Sequence, residues 1–378
     1  MTRAVRSPLA RALALSTALL VASLAAPSAA RAAPLKIVVP DPDNLQYLSF
    51  WVAVGAGYFR DEGVELEPWI PPAPQATTQA VVEGKAEVAV LSPPMYLELI
   101  DRRVPVVLVA NLLKNDAINL IVRRTVIESR KLSPSASLVD RLRGLHGLKI
   151  GIAPNPPRRL RALFASVGLD ADRELQLVIL SGPQQNAAFE RGEVDALYAH
   201  TPYLEKALTD DGAMMWVNQS AGEVPSLATR QIHALVVTRA FAAAQPRVVT
   251  AMTRAIYRAQ KLVHADRAAA AAAIERQFPA MAPRHVEAIL ALYAPAVPES
   301  PVVSADGFAP ALALFPANRP APDLSGVDLA SYVAPAFAER VVSPRASAAR
   351  WAIAALAIAA ALMLALYGAR RGRARARR

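Results

Sequence analysis

Residues 81–98, VVEGKAEVAVLSPPMYLE, and residues 189–205, FERGEVDALYAHTPYLE, carry the same punctuation 108 positions apart. Gly84 matches Gly192, Glu87 matches Asp195 and Pro94 matches Pro202. The echo belongs to a longer one. LKIVVP from Leu35 and LKIGIAP from Leu148 each open a series of strand, helix, strand, helix, strand, closed by the glycine, the acid and the proline. β-Branched runs bounded by Gly, Pro and Ser read as strands, and apolar residues at helical spacing separate them. Alternation of this kind predicts an α/β chain with parallel-rich sheets and helices on both faces. Its duplication predicts two lobes of similar build, and a hydrophobic content of 54% over 378 residues is ample for two cores. Two further strands, AINLIVRRTV from Ala117 and IHALVVTRAF from Ile232, flank the second unit, resemble each other and read as hinge strands crossing between the lobes. Lobe one then holds residues 33–122 and 238–342, and lobe two holds residues 123–237.

A formal charge of +11 suggests nucleic acid until its placement is considered. Ten arginines lie at the ends: Arg3, Arg6, Arg11 and Arg31 at the start, and Arg370, Arg371, Arg373, Arg375, Arg377 and Arg378 at the finish. Neither stretch holds an acid, so the body between is one charge from neutral. A body without a basic stripe releases few counterions, which argues against a nucleic-acid partner. The basic start, the uncharged run Ala12 to Ala26 and the small residues of PSAARAA have the pattern of a signal peptide, residues 1–32. From Trp351 to Ala369 no residue is charged and no polar face appears at helical spacing. Trp351 and Tyr367 stand at interface positions and six arginines follow, so residues 351–369 read as one C-terminal transmembrane helix with a basic cytoplasmic tail, residues 370–378. Residues 343–350 form a short polar tether. The reading is of an exported body on the outer face of a bacterial inner membrane. With no cysteine in the chain, neither disulfides nor a lipid-modified cysteine contribute.

The stretches NLQYLSFWVAVGAGYFRDEGVELEPW, AVVEGKAEVAVLSPP, LHGLKIGIAPN and GEVDALYAHTP contain, in order, G-Y-F-x-x-E-G-V, G-x-x-E-V-A and G-x-V-D-A. In these residues the chain resembles the substrate-binding proteins of ABC importers, in the subgroup typified by binding proteins for thiamine-precursor pyrimidines, alkanesulfonates and nitrate. The likeness runs from about Leu35 to about Ala265. It implies a type II periplasmic-binding-protein-like fold that closes two lobes on a small-molecule ligand, with an ABC permease and its ATPase as partners, no cofactor and no enzymatic activity. A sensor that binds ligand and signals to a membrane partner is the alternative. The chain departs from the family in the turn after the first strand of lobe two. There the family is often rich in Gly, Ser and Thr, and here the turn reads Pro154-Asn155-Pro156-Pro157-Arg158-Arg159.

Ligands of open α/β sheets sit beyond the carboxyl ends of the strands. That rule selects Asp41, Asp43, Asn44 and Tyr47 after the first strand, Gln75 and Thr77 after the second, and Ser92 and Met95 after the acidic one. In lobe two it selects Asn155 and Arg158, then Gln184 and Asn186, then His200, Thr201 and Tyr203. The ligand set expected from these is Asp43, Asn44, Tyr47, Gln75, Ser92, Asn155, Arg158, His200 and Tyr203, with Tyr47 and Tyr203 as aromatic walls. Asp43 and Asn44 serve equally well as helix caps, and Arg158 and Arg159 as solvated surface charges. No G-x-S-x-G, H-E-x-x-H or P-loop motif occurs, and the five histidines stand apart in sequence.

Overall fold

The computed structural model describes residues 33–40, 45–71, 75–228, 230–316 and 320–343. The expected signal peptide, the membrane helix with its basic tail, and Asp41, Asp43 and Asn44 lie outside the described residues. Among the described residues no helix is long and apolar enough to cross a membrane.

Among the described residues, ten strands make two five-stranded sheets. The first comprises β1 (Leu35–Val38), β2 (Leu66–Trp69), β3 (Val88–Leu91), β4 (Val106–Leu113) and β10 (His233–Thr238), ordered β2-β1-β3-β10-β4. The second comprises β5 (Ile118–Arg123), β6 (Lys149–Ile152), β7 (Gln176–Ile179), β8 (Ala196–His200) and β9 (Ala213–Val217), ordered β7-β6-β8-β5-β9. Reading β6 for β1, β7 for β2, β8 for β3, β9 for β4 and β5 for β10 turns one order into the other, so the echo in the sequence is a repeat of topology.

Neither sheet is parallel throughout. β1 runs parallel to β2 and β3, but β10 is antiparallel to both β3 and β4. β5 is likewise antiparallel to β8 and β9. The two strands expected to cross between lobes each lie wholly in one sheet, because a strand paired along both edges cannot be shared between two bodies. The chain instead changes sheets through residues 114–117 and returns through residues 218–232, so the changeovers fall ahead of Val122 and Val237.

The repeated glycines have a common cause. Gly84 and Gly192 take φ of +67° and +73°, the left-handed conformation that ends a helix without penalty to a residue lacking Cβ. The bonds that follow are the same: Gly84 N to Val81 O and Lys85 N to Ala80 O in one copy, Gly192 N to Phe189 O and Glu193 N to Ala188 O in the other. The acids open the next strand. The carbonyls of Glu87 and Asp195 accept from Thr238 N and Arg123 N, each at 2.9 Å, and the Asp195 carboxylate accepts from Lys149 N at 2.8 Å.

Alternate residues of β3 enter different cores, as a pleated strand buried on both faces requires. Val88 and Val90 join a cluster with the helices Leu48–Gly55, Pro246–Ala265, Arg267–Gln277 and Pro283–Tyr293, whereas Ala89 and Leu91 join one with the helix Pro93–Asp101 and with Phe308 and Phe315. The alanine run 268–273 does more than favour a helix. Ala270, Ala271 and Ala273 are buried, and their small side chains let the helix Leu48–Gly55 approach so closely that a Cβ on Gly55 would lie 1.9 Å from Ala273 O. Gly55→Ala therefore separates two packed helices and is expected to cost about 3 kcal/mol. Urea unfolding checks this; a loss below about 0.5 kcal/mol, the scale of an ordinary surface change, contradicts the packing described.

Candidate ligand-binding site

The carboxyl ends of β1, β3, β6 and β8 meet across the space between the sheets, and antiparallel β5 and β10 bring their amino ends to the same place. A cavity of about 190 Å³ lies there. The first half of the chain lines it with Pro40, Gln46, Tyr47, Ser92 and Met95, and β10 adds His233. From the other sheet come Ile118 of β5, Asn155, Pro156 and Arg159 after β6, and His200 at the end of β8.

Of the residues expected at a ligand, Tyr47, Ser92, Asn155 and His200 stand together on this wall. Tyr47 is almost fully buried and meets His233 edge-on, with ring centroids 4.7 Å apart. Tyr203 packs elsewhere: its ring fills the space where a Cβ on Gly182 would sit, 2.3 Å away, and it touches His200 edge-on at 5.2 Å. Gln184 completes a capping box with Ser181, its Oε1 accepting from Ser181 N at 2.8 Å. Gln75 begins the helix Gln75–Val82, and Thr77 on the same helix is fully buried. Arg158 is not among the lining residues; it donates from Nη1 to Phe315 O at 3.1 Å, beside the lining residue Pro316.

Its neighbour Arg159 takes the place expected for Arg158. The helix Pro157–Ala165 starts with proline at its first position, and consecutive helical residues point about 100° apart. Arg159 donates from Nη1 to Asp116 Oδ1 at 3.1 Å, and Arg230 donates from Nη2 to Asp116 Oδ2 at 3.2 Å. Asp116 is 1% exposed, and the Arg230 side chain is 7% exposed. One buried carboxylate therefore faces two guanidinium groups, leaving a surplus positive charge beside the cavity. Asp116 lies in the first changeover segment and Arg230 in the second, so this triad ties the cavity wall to both. Sequence reasoning missed Asp116, Arg230 and His233 and read Arg159 as a solvated surface charge; the four are far apart in the chain and no local motif joins them.

The turn at Pro154, Pro156 and Pro157 lacks three backbone N–H donors that a Gly- or Ser-rich turn would present. The charge on the wall thus comes from a side chain. Both imidazoles on that wall are neutral at physiological pH. Burial pulls His200 down to about 4, with the Arg159 charge acting in the same direction, and burial with the same Arg159 charge holds His233 well below its ordinary value.

Behind His200 the two sheets are joined a second time. The Tyr293 hydroxyl donates to Ala117 O at 2.6 Å and accepts from Thr201 N at 2.8 Å. The same helix, Pro283–Tyr293, reaches the second lobe's helix Glu205–Thr209 through Arg284 and His285, which bind Asp210 at 2.7 and 2.9 Å and hold that carboxylate well below its usual range. Glu205, 1% exposed, has its carboxyl pushed up to about 7 by burial. An acid whose folded pKa exceeds its unfolded one stabilises the fold below the unfolded value near 4.5 and loses that contribution as pH rises through about 7. Glu205→Gln is accordingly expected to gain stability over the wild type by about 3 kcal/mol between pH 4.5 and pH 8. Urea unfolding of both proteins across that range checks it; a pH-independent difference contradicts it.

An NMT1-like family model matches residues 43–276, and the chain belongs to that family. No curated protein matches the sequence. Among solved structures, a protein from Bordetella bronchiseptica RB50 superposes with a TM-score of 0.61 at 23% identity, covering 82% of this chain and 97% of that one. The alkanesulfonate-binding protein SsuA from Xanthomonas axonopodis pv. citri, bound to MOPS, superposes with a TM-score of 0.54 at 21% identity, covering 75% and 92%. The desulfurization enzyme DSZB gives 0.54 at 16% identity, covering 82% and 98%. These similarities establish a fold shared by binding proteins and by at least one enzyme.

Proposed function

We propose that this protein is the membrane-anchored, extracytoplasmic solute-binding component of an ABC importer. It captures a small organic anion between its two lobes and delivers it to a permease served by a cytoplasmic ATPase. The observation that carries this reading is Arg159: a guanidinium on the wall of a cavity built from both sheets, sharing one buried carboxylate with Arg230. A charge beside a cleft with low-dielectric walls attracts an anion strongly. The family membership and the fold shared with SsuA support the same class.

The two changeover segments, residues 114–117 and 218–232, serve as hinges in this reading. A solute touching Ser92 on one side and Arg159 on the other binds the closed form better than the open one, and that difference is what shifts the population. An anion on Arg159 also competes with Asp116, which sits in the first hinge, so occupancy is felt where the lobes bend. Binding rather than turnover is the role we assign. The charged group on the wall, Arg159, is suited to holding an anion, and the chain has no cysteine to serve as a thiolate nucleophile. The expected signal peptide and C-terminal helix place this body outside the membrane and tie it there.

The test is a thermal-shift screen of the purified protein against short sulfonates, carboxylates and inorganic anions, with uncharged analogues of each. A ligand bound only by the folded state must raise the melting temperature. The reading expects the shift from at least one anion and none from its uncharged analogue; a shift from the uncharged compounds alone sinks it.

A further inference from the structure

His200 has one ring nitrogen fixed. Its Nδ1 lies 2.7 Å from Thr201 O, and a carbonyl can only accept, so Nδ1 carries the proton. In the neutral ring that leaves Nε2 as a bare acceptor. Nε2 makes no hydrogen bond among the described residues and is absent from the buried polar atoms that lack a partner, so solvent reaches it. The ring lines the cavity, and the Arg159 charge, which acts directly on this imidazole, opposes a second proton on it. The wall therefore presents an acceptor beside a cation. Water satisfies the acceptor while the cleft is open. When the lobes close that water leaves, and an acceptor buried without a donor is costly, so the solute has to supply one.

We propose that the solute is an anion that also carries an O–H or N–H donor, with the anionic group on Arg159 and the donor on His200 Nε2. The site then selects against the same anion with the donor replaced by hydrogen or methyl, because a site built to pair with a donor rejects the analogue that lacks it. This rests on the anion reading of the preceding subsection.

The experiment is titration calorimetry of the full chain in detergent at pH 7.5 with two matched pairs: 2-hydroxyethanesulfonate against ethanesulfonate, and lactate against propionate. The donor-bearing member of at least one pair is expected to bind about tenfold tighter or better. In His200→Phe, which keeps an aromatic ring and removes the acceptor, that ratio is expected to fall to about twofold or less with the donor-free anion still bound. Should that variant fail to fold, the wild-type ratio and a proton count still decide. Repeating the titration in two buffers of different ionisation enthalpy is expected to show no net proton uptake. Equal affinities within both pairs, a ratio that persists in His200→Phe, or uptake of close to one proton per anion overturns the inference while leaving the anion site standing. No binding of any of the four anions, combined with a thermal-shift screen in which only uncharged compounds stabilise the protein, overturns the anion reading and this inference together.

Discussion

Replacing Asp116 by alanine is expected to lower the free energy of unfolding by about 3–5 kcal/mol, the usual cost of removing one partner from a buried ion pair. The carboxylate accepts from Arg159 at 3.1 Å, from Arg230 at 3.2 Å and from Ile118 N at 3.3 Å. Its loss leaves two cations facing each other, one of them in a pocket too buried to hydrate it. The Arg230 backbone is pinned as well, its N–H donating to Lys114 O at 2.5 Å and its Nε to Leu227 O at 2.8 Å, so the guanidinium cannot swing out without breaking the second changeover segment. Asp116→Asn keeps the shape and removes the charge. It is expected to fall between the wild type and the alanine variant, because its amide oxygen still accepts one bond. Urea unfolding measures all three, and an Asp116→Ala loss below about 1 kcal/mol would show that the triad is solvated and weak.

Arg159→Gln is expected to weaken anion binding at least about thirtyfold, and Arg158→Gln to leave it within about twofold. Losing one side of a desolvated charge contact costs 2 kcal/mol or more, and 1.4 kcal/mol is a factor of ten. Arg158 donates to Phe315 O and is not among the residues that line the cavity. Arg159→Lys keeps the charge but loses the guanidinium that donates to Asp116 from Nη1 while presenting further N–H donors, so an intermediate affinity is expected. Calorimetry on folded protein with the tightest anion from the thermal screen reads these differences. Equal losses at 158 and 159 would mean that general charge, and not the cavity wall, attracts the ligand.

The contrast between these two arginines shows where sequence reading stops. Gly84 and Gly192 are legible because a left-handed helix end is a local requirement met by one residue type, and both copies display it. The apolar runs of β3, β4 and β8 are legible because strands buried on both faces need continuous hydrophobic residues. Strand ends then point to Tyr47, Ser92, Asn155 and His200 with no knowledge of side-chain direction. Choosing between Arg158 and Arg159 requires the rotation of the helix Pro157–Ala165, which depends on where three prolines let it begin. The antiparallel insertion of β5 and β10 is hidden for a related reason. Their apolar runs report burial, and burial is the same in either direction. Asp116, Arg159 and Arg230 meet only because both changeover segments pass beside the β6 turn, a tertiary fact that no spacing within the chain encodes.

A crystal structure grown with the tightest-binding anion tests the central claim most directly. The account predicts density in the space between the sheets, with the anionic group on the Arg159 guanidinium and contact on the opposite side from Ser92 or His233. An anion seated on one sheet alone, or lodged in the groove by Val64 and Phe241 while the space between the sheets stays empty at saturation, would contradict it.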